Sequence, residues 1–133
     1  MNATTVSSAN EAAILARANF ERVVGEILLF LSGIPPYEEM FLEQIPNRII
    51  RPLALKQFQI VRSEEGLIIG YTSWAMVTEE LAERLRAGNM LVDEFGKDGW
   101  NCGDNKVVVD EIGMVNSVLD AFRKKNKGKR GDV

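Results

Sequence analysis

The hydrophobic period of this chain changes partway along it, and that change constrains the fold more than any other feature. Phe20, Val23, Val24, Ile27, Leu28 and Leu31 recur at the spacing of one helical face, which predicts a long helix over residues 10–31 with Ser7, Ser8 and Asn10 as candidate caps. Its last turn, Ile27-Leu28-Leu29-Phe30-Leu31, is apolar all round and so must be covered on several sides or meet a partner. Gly33 and Pro35-Pro36 end it. A short amphipathic helix is expected from residue 37 to about 44, with Met40, Phe41 and Ile45 facing inward. Pro46 interrupts it, and further helical turns follow over 48–56. From Phe58 the pattern differs. Phe58-Gln59-Ile60-Val61-Arg62 and the run from Leu67 to Ala75 are rich in β-branched and aromatic residues and flank Ser63-Glu64-Glu65-Gly66, which predicts an antiparallel hairpin. Thr78 caps a helix that Gly88 ends, 93–105 reads as a glycine-containing loop, 106–112 as a strand and 117–125 as a helix. This order predicts an α+β or α/β layer arrangement around a small sheet.

A chain of 133 residues supports one core, so residues 1–122 are read as one domain and 123–133 as a basic, disordered tail. No apolar run reaches the length of a membrane span. The absence of histidine excludes serine–histidine and cysteine–histidine catalysis and ordinary zinc-hydrolase sites. Cys102, the single cysteine, makes neither an intramolecular disulfide nor a multi-thiolate metal site, and no secretory signal opens the chain; a reducing, cytoplasmic location is expected. The net charge of -3 hides a division. Residues 123–133 carry six basic side chains against Asp132, so an acidic body precedes a basic tail. Such a tail suits an anionic partner or simply a solvated end.

Two segments carry candidate chemistry. In Gly70-Tyr71-Thr72-Ser73-Trp74-Ala75, Trp74 is either a core anchor or part of a site. In the second, Trp100-Asn101-Cys102-Gly103-Asp104 leads to a strand in which Asp110 follows Val107-Val108-Val109. Strand alternation places Asp110 on the face opposite Val109 and Glu111. Partial burial would raise its pKa and suit it to orient or accept a proton; the competing reading is a strand-end aspartate in water. Cys102 has only Lys106 nearby to lower a thiol pKa. Gly96, Gly99 and Gly103 lack the spacing of a phosphate-binding loop and read as turn residues.

Taken in order, Ser73-Trp74-Ala75, Glu79-Glu80-Leu81, Trp100, Gly103-Asp104 and Asp110 resemble the toxin-activating lysine acyltransferases that mature RTX protoxins, over roughly residues 26–125. The resemblance implies a fold similar to the GNAT acetyltransferases, a small antiparallel or mixed sheet flanked by helices. It also implies transfer of a fatty acyl group from acyl carrier protein, a co-substrate, to an internal lysine of a protoxin-like acceptor, with no bound cofactor or metal. Asp110 would orient or deprotonate the lysine, and Ser73 and Trp74 would shape the thioester pocket. The basic tail would dock the acidic carrier. The family's other catalytic residue is a histidine after the first helix, and here Tyr37 stands about where it belongs. A phenol of ordinary pKa near 10 is a poor base at pH 7, which leaves Glu38, Glu39 or Asp110 as candidates for that task. The family also continues into another strand where this chain runs into Lys124-Lys125-Asn126-Lys127, so part of the sheet is expected to be missing.

The alternative is a catalytically inactive relative that binds a protein partner, or forms a homodimer, through the surface from Ile27 to Leu31. A third reading, nucleic-acid binding by the tail, is opposed by the acidic body and by the lack of aromatics among the tail's basic residues.

Overall fold

The computed structural model describes residues 8–35, 37–90, 92–95 and 98–130. Ser7, Pro36 and Gly96, to which the sequence assigns a cap, a break and a turn, lie outside the described residues. Helix α1 (Ser8–Leu31) is the long helix its periodicity predicts. Its apolar last turn is covered mostly within the chain. Ile27 and Leu31 enter the core, Leu28 and Phe30 pack beside it, and Leu29 alone of the five is exposed.

The next segment departs from expectation. In place of one amphipathic helix there are two 3-10 turns, Tyr37–Glu39 and Leu42–Gln44. Three-residue turns cannot present a continuous helical face, so Met40 and Ile45 reach the core while Phe41 is 69% exposed, contrary to its expected inward placement. The side chain of Gln44 accepts the Phe41 N–H at 2.7 Å and closes the second turn. Pro46 starts the following helical segment instead of stopping the preceding one, because a proline in the first turn gives up only an N–H that would have no partner there. The π-helical turn Pro46–Ile50 leads directly into α2 (Arg51–Ala54), and Ile49, Pro52 and Leu53 are buried.

Strands β1 (Phe58–Arg62), β2 (Ile68–Val77) and β3 (Asn105–Gly113) form an antiparallel sheet in the order β1-β2-β3, with one isolated parallel bridge between Met76 and Asn101. Gly66, at φ 90°, supplies the left-handed residue of the β1–β2 turn. Helix α3 (Glu79–Arg86) has the expected Thr78 cap, whose hydroxyl oxygen accepts the Leu81 N–H at 3.2 Å. Helix α4 (Asn116–Arg130) continues to Arg130, past the expected end at 125, so the basic segment begins on helical backbone. The result is α+β, a three-stranded antiparallel sheet with helices packed against it, and it fits a small GNAT-like arrangement. Among the described residues no helix is long and apolar enough to cross a membrane.

A bulge in β3 decides which side chains share a face. Ser73 pairs with Asp110, but Trp74 pairs with Val108, so Val109 is an extra residue. The bulge cancels strict alternation. Val107 and Val109 pack into one apolar cluster, Ile112 packs into the other, and Asp110 points to that same side of the sheet. The expectation that Asp110 faces away from Val109 is therefore wrong, because alternation holds only while the ladder is regular.

The enclosed face carries two clusters. One gathers Ile27, Leu31, Ile49, Leu53 and Tyr71; the other gathers Ala75, Val77, Ala82, Phe95 and Trp100. Trp100, with no exposed surface, is the aromatic anchor of the second. Its indole meets Phe95 edge-on at 5.5 Å and donates to Asn47 Oδ1 at 3.1 Å. Trp100 reaches this position because the chain turns tightly against β2: a Cβ at Gly103 would lie 2.3 Å from the Val77 carbonyl. On the opposite face, α4 lays Val118 and Phe122 over Gly70 and Gly113.

Candidate active site

Three elements meet between the two clusters. Tyr37 comes from the first 3-10 turn, Arg48 from the π-helical turn and Asp110 from the bulge of β3. The Tyr37 hydroxyl donates to Asp110 Oδ1 at 2.5 Å, and Arg48 Nη2 donates to the same oxygen at 2.9 Å. The Arg48 guanidinium also lies 5.5 Å from the centre of the Tyr37 ring. Asp110 is 1% exposed, so its charge is held by these neighbours and not by water. Bonds this short to an ionised carboxylate are the strong, charge-assisted kind.

The two tyrosines around Asp110 are held protonated. Burial, then the adjacent Asp110 charge and hydrogen bond, push the Tyr37 phenol far above its ordinary value, against a smaller opposing pull from Arg48. Burial and the Asp110 charge do the same to Tyr71, opposed by the nearby Ser73 hydroxyl. At neutral pH Tyr37 is a proton donor, and on its own it is no base.

Cavities open beside this set. One of about 230 Å³ is lined by Leu28, Leu31, Tyr37, Met40 and Ile45, with Ser32 and Glu38 at its polar edge. A smaller one of about 150 Å³ lies between Tyr37, Met40 and Arg48, with Glu39 and Gln44. A third, of about 260 Å³, has Arg48 at one end and Leu85, Met90, Val92, Val107 and Val109 along its wall. Tyr37 and Arg48 thus stand where apolar space adjoins a buried carboxylate.

Of the residues that the sequence singles out, Tyr37 and Asp110 are brought into direct contact across 73 positions of chain. Ser73 is fully buried on β2 directly opposite Asp110, behind the carboxylate and outside the lining of these cavities. Trp74 points to the other face of the sheet, where the Lys106 ammonium lies 4.2 Å from the centre of its ring. Glu38 and Glu39 are exposed, and each edges one of the two cavities at Tyr37. Cys102 is exposed and its thiol is 3.8 Å from the Gly99 carbonyl, while Lys106 is engaged with Trp74. Among the described residues no three His, Cys, Asp or Glu side chains gather as a metal site. Arg48 is the site residue that the sequence reading missed. Its signal was a cation in Pro46-Asn47-Arg48-Ile49-Ile50, a segment whose Ile49 is buried in the core.

The chain is 24% identical over 107 residues to a lysine-acyltransferase, RtxC, of Vibrio cholerae serotype O1, an overlap that covers 80% of this chain and 68% of that protein. Residues 16–125 match the model of the RTX toxin acyltransferase family, a span that takes in Tyr37, Arg48, Ser73 and Asp110. The chain belongs to the RTX toxin acyltransferase family.

Proposed function

We propose that this protein moves a fatty acyl group, in the cytoplasm, from the thioester of an acyl carrier protein to an internal lysine of a protoxin-like acceptor. In this reading Tyr37 and Asp110 act together as a proton relay. The observation that carries it is the hydrogen bond from the Tyr37 hydroxyl to Asp110 Oδ1, made beside an apolar cavity at the position where the resemblance calls for a histidine.

The relay answers the difficulty of a tyrosine in a base's place. A neutral lysine amine attacks the thioester carbon, and the carbonyl electrons move onto oxygen. The ammonium so formed passes a proton to Tyr37 Oη while Tyr37 passes its own proton to Asp110 Oδ1. When the tetrahedral species collapses, the C–S bond breaks, and the departing thiolate takes a proton back from Asp110 through Tyr37. An amide and a thiol result, both side chains return to their starting states, and no free phenolate forms. That last point matters because burial and Asp110 strongly disfavour a Tyr37 phenolate. Arg48 balances the buried charge and holds Oδ1 toward Tyr37. Leu28, Leu31, Met40 and Ile45 offer the acyl chain an apolar wall next to Tyr37. The basic residues from Arg123 onward steer the acidic carrier, an attraction that salt weakens.

One observation favours the non-catalytic alternative, a partner-binding or dimerising module: Oδ1 already accepts from both Tyr37 and Arg48, a closed set that would rest undisturbed in a silent site. The two readings separate on incubating the chain with acyl carrier protein bearing a labelled acyl group and a lysine-containing protein acceptor. The enzyme reading expects a lysine-linked acyl mass that is lost in Asp110→Asn. Absence of that mass, with Asp110→Asn binding the acceptor as the wild type does, leaves the binding module.

A further inference from the structure

The relay uses one oxygen of Asp110. The other, Oδ2, is buried with no protein group in hydrogen-bonding geometry, and the same is true of Tyr71 Oη and Ser73 Oγ. All three residues are essentially without exposed surface. Ser73 stands directly opposite Asp110 in the β2–β3 ladder, and Tyr71 is two residues along the same face of β2. Side chains directly opposite in an antiparallel pair have Cβ atoms about 5 Å apart, so the Ser73 hydroxyl and the Asp110 carboxylate share one buried space. Tyr71 Oη lies close enough to the Ser73 hydroxyl and to the Asp110 charge for both to act on its proton. Buried polar atoms are rarely left without a partner in native proteins.

We propose that Tyr71 and Ser73 are positioning residues that hold Asp110 from behind through one internal water shared by Tyr71 Oη, Ser73 Oγ and Asp110 Oδ2. The donor count closes. The water donates to Oδ2 and accepts from the two hydroxyls, about the three bonds that an internal water typically makes. With Oδ2 bound on the sheet side, the carboxylate plane is fixed and Oδ1 is presented to Tyr37 and Arg48. The serine of Ser73-Trp74-Ala75 then serves the carboxylate and not the acyl chain, and Tyr71 gains a purpose beyond filling the core. The catalytic consequence rests on the relay proposed above; the water site itself does not.

A high-resolution crystal structure of the chain, paired with kinetics and tyrosine titration of Tyr71→Phe and Ser73→Ala, tests this. The expected result is density for one water touching all three oxygens. In each variant kcat falls roughly tenfold with KM unchanged, as loss of one hydrogen bond to a charged group would give. The alkaline ultraviolet titration of Tyr37 also moves to lower pH, because a loosened Asp110 no longer holds its proton as well. Ser73→Ala is the smaller change and decides the matter if Tyr71→Phe does not fold. An absent water, or folded variants with unaltered kcat and unaltered Tyr37 titration, overturns the proposal. If no acyl transfer occurs at all, the relay fails, and the density and the titration still decide the water site.

Discussion

The two faces of the three-stranded sheet do different work with similar residues. On the enclosed face, α1, the helical turns of residues 46–54, α3 and the loop carrying Trp100 cover the strands, and a buried carboxylate sits at the seam between two apolar clusters. On the other face, α4 covers the end near Gly70 and Gly113, while Trp74 and Lys106 lie at the other end, part-exposed, and Val108 is exposed beside them. A tryptophan appears on each side. Trp100 is packed in a core and bonded through its indole N–H, whereas Trp74 lies under a cation at the surface. The contrast teaches that adjacent residues of one motif serve opposite faces: Ser73 is buried opposite Asp110, while Trp74 lies under a cation on the other side.

The enclosed face should break hardest. Trp100→Ala is expected to destabilise the chain by about 3–5 kcal/mol, measured by urea unfolding, because it empties the second cluster and strips Asn47 of its donor. Arg48→Met should cost about 2–3 kcal/mol, less than a fully buried pair because Arg48 retains some exposure, and Asp110→Asn in the same background should recover much of it. That recovery, read from a double-mutant cycle, distinguishes an uncompensated charge from lost packing.

The tyrosines give the enclosed face a signature in alkali. Below about pH 10 both folded and unfolded chains keep the phenolic protons, so nothing is lost. Above it the unfolded chain ionises first and binds fewer protons than the folded one, so stability falls as pH rises. For the deeply buried Tyr71 the slope approaches about 1.4 kcal/mol per pH unit, with a smaller share from part-exposed Tyr37. Tyr71→Phe should flatten that slope in denaturation measured from pH 9 to 11. The open face should matter least. The Trp74–Lys106 coupling, from a cycle of Trp74→Leu and Lys106→Met, is expected at about 0.5–1 kcal/mol, and a value as large as the Arg48–Asp110 coupling would erase the distinction between the faces.

What the sequence disclosed follows the same division. Helix α1, the β1–β2 hairpin, the Thr78 cap and the third strand were legible because local spacing and turn residues dictate them. The meeting of Tyr37 with Asp110 was legible only as two separate positions, Asp110 from its place after three valines on a strand and Tyr37 from the resemblance to a family. The bulge at Val109 was not legible, since an extra residue is defined by its partner strand, and it reversed the assignment of the Asp110 side chain. Arg48 was passed over because a cation among isoleucines has meaning only once its carboxylate, 62 positions away, is in place. Phe41 was misplaced because two short turns replaced the helix that would have carried it inward.

The central claim is that Tyr37 works with Asp110 in the place of a histidine, and the single-turnover rate of acyl transfer to an acceptor lysine in Tyr37→Phe tests it most directly. Removing only the hydroxyl keeps the ring against Arg48 and breaks the relay, so the rate should fall by about 10²–10⁴-fold with the fold intact. A Tyr37→Phe chain that transfers the acyl group as fast as the wild type would contradict the account.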